Sequence, residues 1–252
     1  MRSSSRGKGK AKPLRYVLLR PPMSDPNRWG MDAPPREAAA GAPTLTSDTD
    51  DLNHFTIQAV SPNYEGVIVK YWSLPANQPN TYGNSVSLWN STIPNLQVEP
   101  LASEPITDNS EVGSVFIPYG FQQTNYSVTY QTTDYTSMCA LAQILLAPAA
   151  VPIPTYVSLT ISSLDSSGVK VIYSTLPGYT PAKYKNWVGV WQGYESPYST
   201  GSALNTVPIP TDASQGEVAI PFTPGPFTYT LIYFLGENRI TAGALLYFQV
   251  SS

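Results

Sequence analysis

The chain of 252 residues holds one histidine, His54, and one cysteine, Cys139, 85 positions apart. One imidazole and one thiol leave a histidine-based triad or a Cys/His zinc site short of ligands, so a His54–Cys139 dyad is the only such nucleophilic pairing left. Cys139 lies in the apolar run "SMCALAQILLA", which reads as a small buried hydrophobe rather than a reactive thiol. The dense acidic cluster "SDTDD", with Asp48, Asp50 and Asp51, lacks the spacing and the glycine of a Ca²⁺ loop and reads as solvated linker. No G-x-x-x-x-G-K-[ST] and no G-x-G-x-x-G occurs, so nucleotide chemistry is not indicated. These residues point away from catalysis, and no cofactor or metal is expected. What remains is recognition chemistry. The stretch "WQGYESPYSTG" brings Trp191, Gln192, Tyr194, Glu195 and Tyr198 together, and aromatic faces with amide and carboxylate edges suit a sugar or peptide ligand.

A second chemistry sits at the N-terminus. Arg2, Arg6, Lys8, Lys10, Lys12, Arg15 and Arg20 are seven of the 14 basic residues, and the first twenty positions contain no acid. The remaining chain carries seven basic residues against 17 acidic ones, a balance of −10 that the overall −3 conceals. An arm so rich in Ser, Gly and Lys cannot bury enough apolar surface to fold alone. It reads as a flexible basic tail, able to neutralise the phosphates of a nucleic acid or another polyanion. Residues 21–50 continue as a Pro/Ala/Asp-rich linker. The start has no apolar core of a signal peptide, and no stretch approaches the roughly 18 apolar residues of a spanning helix. A soluble, cytoplasmic protein is the expectation, with export by a signal-less route as the alternative.

The elements that must position these residues are β-strands. With 25 Pro, 17 Gly and 17 Tyr, the chain is a series of short apolar runs separated by Pro, Asn, Ser and Gly, the punctuation of an all-β sandwich or barrel. It also contains itself. At an offset of 102, "YWSLP" (71–75) meets "YSTLP" (173–177), and "PNTYGNSVSLW" (79–89) meets "PAKYKNWVGVW" (181–191). At 103, Gly113, Val115, Ile117 and Pro118 meet Gly216, Val218, Ile220 and Pro221, and Tyr126 and Tyr130 meet Tyr229 and Tyr233. Two repeats follow, 51–150 and 151–252, behind an arm and linker of 1–50, with "APAAVPIPT" as a short, stiff connection. Each is about 100 residues and reads as roughly seven strands, the count of an immunoglobulin-like sandwich. Tyr126-Ser127-Val128 and Tyr229-Thr230-Leu231 resemble the tyrosine corner of that fold. Val128 and Leu231 stand where a disulfide-bearing domain has its second cysteine, and apolar packing must serve instead.

Alternation along "NWVGVWQG" sets Val188 and Val190 on one face and Trp187, Gly189 and Trp191 on the other. The partners in the first repeat are Val86 and Leu88 against Ser85, Ser87 and Trp89, so the Val/Leu face is the expected core. Trp89 and Trp191 occur in both copies at a strand end, which favours a structural role, although the loops after them remain candidate ligand sites. Trp187 faces Ser85, and Trp72 faces Ser174. A large outer-face aromatic that only one copy carries is an interface candidate, with contact to the sister repeat or the linker as the alternative. "WVGVWQGYESPY" resembles the W-[VI]-G-[VI] strand of SKICH domains, small immunoglobulin-like sandwiches. The resemblance implies that fold and a protein- or membrane-recruitment role, and the first repeat departs from it at Ser85 and Ser87.

Two functions stand against each other. One is a non-enzymatic binding or adhesion module that recognises a protein or glycan through its aromatic loops. The other is a self-assembling coat, inclusion, capsid-like or filament subunit, with the cationic arm of one copy on the acidic body of the next.

Overall fold

A computed structural model of the protein describes residues 13–19, 53–122, 124–145, 155–199 and 201–251, with the backbone of 37–38. Its strands, in chain order, begin with β1 (Tyr16–Leu19) and β2 (Glu37–Ala38). The first repeat follows as β3 (Thr56–Val60), β4 (Gly66–Trp72), β5 (Ser85–Trp89), β6 (Ala102–Pro105), β7 (Val112–Pro118), β8 (Asn125–Gln131) and β9 (Met138–Leu145). The second is β10 (Thr155–Tyr156), β11 (Ser158–Asp165), β12 (Gly168–Ser174), β13 (Trp187–Gln192), β14 (Asn205–Pro208), β15 (Gln215–Pro221), β16 (Thr228–Phe234) and β17 (Ala242–Val250).

The chain is all-β, and both repeats build the same two layers. Sheet β3-β4-β7 faces β10-β9-β8-β5-β6 in the first, and β11-β12-β15 faces β14-β13-β16-β17-β1-β2 in the second, with all pairings antiparallel. Period-2 patterning makes the layers. In "GVIVKYW" Val67, Val69 and Tyr71 point into the core while Ile68 and Lys70 face solvent, and "GVKVIYS" repeats this with Val169, Val171 and Tyr173 inward. Gly66 and Gly168 open these strands at the same place, where a Cβ would run into the carbonyls of Ile117 and Ile220. Shared polar bonds pin both cores. Tyr130 Oη donates to Asn84 Oδ1 at 2.7 Å and Tyr233 Oη to Asn186 Oδ1 at 2.8 Å, all deep in the interior. The Gln122 N–H donates to Tyr126 Oη at 3.1 Å and the Gly225 N–H to Tyr229 Oη at 2.7 Å. These are the local bonds of tyrosine corners. Val128 and Leu231 are fully buried, in apolar contact where a disulfide is absent.

The repeats are interlocked, not beads on a linker. Thr155 and Tyr156 pair with Leu141 and Ala140 on the last strand of the first repeat, and the Val157 N–H donates to the Cys139 carbonyl at 2.9 Å. Their equivalents, Asn53 and His54, meet the last strand of the second repeat: the Leu245 N–H donates to the Asn53 carbonyl at 2.7 Å, and His54 bridges Ala244. Each repeat thus lends its leading segment to the other, and the His54 and Tyr156 rings stack 3.6 Å apart where the segments pass. The N-terminal arm also differs from the expectation of a wholly flexible tail. Tyr16–Leu19 pairs with Val250–Tyr247, and the Tyr16 ring is buried edge-on against Phe248. The physical reason is that "RYVLL" needs only an open sheet edge to order, and β17 supplies one. Arg15 lies exposed beside this strand, while Arg2, Arg6, Lys8, Lys10, Lys12 and Arg20 fall outside the described residues.

Candidate functional site

The aromatic residues around β13 build structure first. Trp191 is buried, its Nε1–H donating to the Gly201 carbonyl at 3.1 Å. The Arg239 guanidinium lies 5.1 Å from the centre of the Trp191 ring and donates to the carbonyls of Ser199 and Gly201. The Glu195 N–H donates to Thr230 Oγ1, which in turn donates to the Gly193 carbonyl. These bonds fold the loop after β13 across the outer face of its sheet. Trp89 is likewise buried, with its Nε1–H on Thr129 Oγ1 at 2.8 Å. Alternation therefore does not decide solvent exposure here: Val188, Gly189, Val190 and Trp191 are all buried, because the far face is covered as well as the core face.

Trp187 belongs to the same covered face. Its ring stacks on Phe234 at 4.0 Å and its Nε1–H donates to the Gly236 carbonyl at 2.8 Å. In the first repeat the corresponding cross-strand pair is Ser85 and Gln131, joined by an Oγ–H to Oε1 bond of 2.9 Å. One repeat closes this spot with a hydrogen bond and the other with a ring stack, so Trp187 is matched after all, across the strand rather than along it.

Tyr198 leaves the proposed ligand loop entirely. Its ring stacks on Tyr82 of the first repeat at 4.9 Å. Burial, above all, pushes its phenol well above the ordinary range, and among the described residues its hydroxyl has no hydrogen-bond partner. Of the loop set, Gln192 and Tyr194 face solvent, Tyr194 packing 5.2 Å from Tyr247. Glu195 is half-buried against Gly201, with one carboxylate oxygen enclosed and without a hydrogen-bond partner among the described residues. The structure does not gather these residues into one open site.

Trp72 is placed differently. It stands on the outer face of sheet β3-β4-β7, between Thr56 and Val112. Two rows along the same face, Ile68 lies between Val60 and Phe116. Phe116 is 50% exposed, Ile68 and Val112 are 41% exposed, and Tyr64 in the adjoining hairpin is 81% exposed. The middle row is Gln58, Lys70 and Ser114. The second repeat holds this face in the same strand order with other side chains: Lys170 for Ile68, Ala219 for Phe116, Ser174 for Trp72 and Gln215 for Val112. There Lys170 pairs with Glu217 at 3.8 Å and Ser162 Oγ–H donates to Glu217 Oε2 at 2.7 Å. The sequence signal that finds Trp72 also finds Ile68 and Phe116, once the outer-face positions are compared between repeats.

Cys139 is enclosed, donates weakly to the Tyr130 carbonyl at 3.5 Å, and burial raises its thiol well above the usual value. His54 is buried in its stack on Tyr156. Among the described residues no group of three or more His, Cys, Asp or Glu could hold a metal ion, and no helix is long and apolar enough to cross a membrane.

No protein-family model matches the chain, and no curated protein matches it. Among solved structures it is similar to a segment of two fibronectin type-III domains from chicken tenascin, at 10% identity over 79% of this chain and 99% of that one, with a TM-score of 0.27.

Proposed function

We propose that the chain is a non-enzymatic protein-binding module whose contact surface is the outer face of β3-β4-β7. The observation that carries this is the contrast between the repeats. The fold is made twice, and the copy with Lys170, Ser174, Gln215 and Ala219 shows that the architecture does not require Ile68, Trp72, Val112 and Phe116 to be apolar. Two apolar rows, Trp72 with Val112 and Ile68 with Phe116, flank a polar row centred on Lys70, and large apolar side chains grouped on an outer face and rimmed by polar ones mark an interaction site. Its chemistry also describes the partner. Lys70 sits at the centre with neutral Gln58 and Ser114 as its cross-strand neighbours. The complement is a protein surface with apolar side chains around a carboxylate, and tryptophan is the residue type that most often dominates such contacts.

The test grafts side chains of the second repeat's face onto the first. A chain carrying Ile68→Lys, Trp72→Ser and Phe116→Ala, one carrying Tyr194→Ala, and the wild type are used as baits against the same extract, with captured proteins quantified. A protein held by the wild type and by Tyr194→Ala, and lost with the grafted face, is the expected result. Capture that survives the graft overturns the assignment. Self-assembly remains a second reading, favoured by one observation, the seat of β1 on the second repeat.

A further inference from the structure

We propose that the edge of β17 is an acceptor site for β1 of a second copy of the chain, so that copies join by exchanging this strand. The inference rests on the self-assembly reading and is independent of the β3-β4-β7 face.

β1 precedes the first repeat in the chain yet completes a sheet of the second. Its seat is specific. Tyr16, Val17, Leu18 and Leu19 lie opposite Val250, Gln249, Phe248 and Tyr247, the Ser251 N–H donates to the Arg15 carbonyl at 3.1 Å, and the Leu14 N–H to the Leu164 carbonyl at 2.9 Å. The Tyr16 ring enters between the layers, edge-on to Phe248. β2 pairs with the far side of β1 at Tyr16↔Ala38 and Val17↔Glu37, so the two strands travel together. Between Ala38 and Asn53, where the first repeat begins its own pairing with β17, lie residues 39–52. Fourteen residues reach about 46 Å when extended, ample to cross to a neighbouring molecule.

None of the contacts that hold β1 depends on whether it comes from its own chain or from another. The balance between the two is therefore set by the tether alone. A short tether gives an effective concentration in the millimolar range, so pairing within one chain dominates in dilute solution and exchange takes over as the local concentration of copies rises to that level. Swapping an element between protomers in this way is a low-cost route to a dimer, because it creates no new surface. The acceptor also needs an occupant. β17, "AGALLYFQV", is buried on both faces apart from Gln249, and such a strand with a bare edge is a template for uncontrolled pairing.

The experiment uses two full-length single variants, Val17→Cys and Gln249→Cys, which stand opposite each other on the outer side of the pair, with a short bismaleimide as cross-linker; the native Cys139 is buried. Each variant is mixed with the other at micromolar concentration and at about 1 mM. A covalent heterodimer that is scarce in the dilute mixture and abundant in the concentrated one is expected, and the double variant in one chain closes on itself when dilute. If the concentrated mixture gives no heterodimer while the double variant closes, exchange does not occur and the proposal fails. Light scattering supplies the second arm: Tyr16→Asp removes the buried ring and should abolish the dimer formed near 1 mM by the wild type. A dimer that survives Tyr16→Asp likewise overturns the proposal. Loss of partner capture by the grafted β4/β7 face leaves this result unchanged, so the two readings fail separately.

Discussion

Trp187 and Trp72 are both large aromatics that one repeat has and the other replaces with serine, yet they have opposite meanings. The difference is the residue across the strand. Opposite Trp187 the second repeat has Phe234 where the first has Gln131, a paired change that keeps the spot closed. Opposite Trp72 stand Thr56 and Val112, neither of them aromatic. The sequence alone exposes the unmatched tryptophans, since an offset of 102 aligns each with its serine; it does not expose the cross-strand partner, because the pairing of β13 with β16 joins residues nearly fifty positions apart. Trp187→Ser should therefore cost about 2 kcal/mol or more through the lost stack, its Nε1–H bond and the void left behind. Trp72→Ser, at a half-buried position on the outer face, should cost less than Trp187→Ser, on the order of 1 kcal/mol. Thermal melts separate the two. Adding Phe234→Gln to Trp187→Ser should recover part of the loss by copying the Ser85–Gln131 bond, a coupling that a double-mutant cycle reads directly. Tyr198→Phe deletes a buried hydroxyl that has no hydrogen-bond partner among the described residues, so its melt should match or exceed that of the wild type, whereas Tyr198→Ala should lower it by removing the ring stacked on Tyr82.

At the scale of strands, the repeat made most of the architecture readable. Period-2 runs such as "GVIVKYW" and "GVKVIYS" fall on β4 and β12, "SVSLW" and "WVGVWQ" on β5 and β13, and both tyrosine corners carry their bonds. What stayed hidden is where the leading segments go. An internal offset shows that Asn53–His54 and Thr155–Tyr156 are equivalent, but equivalence says nothing about which copy's edge each will meet, and that is decided by three-dimensional reach. The same holds for β1, whose four apolar-rich residues lie in a stretch otherwise rich in Ser, Gly and Lys and become a strand only because β17 offers an edge. Val17→Pro removes a backbone N–H from the β1–β17 ladder, at the position opposite Gln249, and fixes φ, so it should detach β1 from β17. The expected outcome is a folded but aggregation-prone chain, seen as light scattering that grows with time, because the edge of β17 is then bare.

At the scale of the whole molecule, the exchanged segments, the His54–Tyr156 stack, the Tyr82–Tyr198 stack and the 2.5 Å bond from Tyr179 Oη to the Thr136 carbonyl tie each repeat's surface to the other. Calorimetry should show one cooperative transition, not two, and two separated peaks would mean that the repeats unfold independently. The buried tyrosines set an alkaline limit. Burial pushes the Tyr71 phenol up to about 12, and raises those of Tyr16, Tyr130, Tyr179, Tyr198, Tyr233 and Tyr247. In the unfolded chain these groups ionise near 10. Since the folded values are the higher ones, the native state keeps protons that the unfolded state gives up, and stability is full below about pH 10 and declines above it. Melting temperature should be insensitive to this term near neutrality and fall steeply from about pH 10 upward, in step with the rise of phenolate absorbance on unfolding.

The pairing of β1 with β17 also dictates how the molecule answers a pull. Because the strands run antiparallel with Tyr16 opposite Val250, a force applied before Pro13 and after Ser251 enters at the same end of the ladder. The backbone bonds then meet the load one after another, like a zipper, instead of sharing it in shear. The first yield should occur at low force and release the chain up to Asn53, leaving both repeats folded. Tension along the polypeptide thus works as a release catch for β1, and a single-molecule stretching trace should show one small early step, of up to about 3.5 Å per residue freed, before the larger unfolding events.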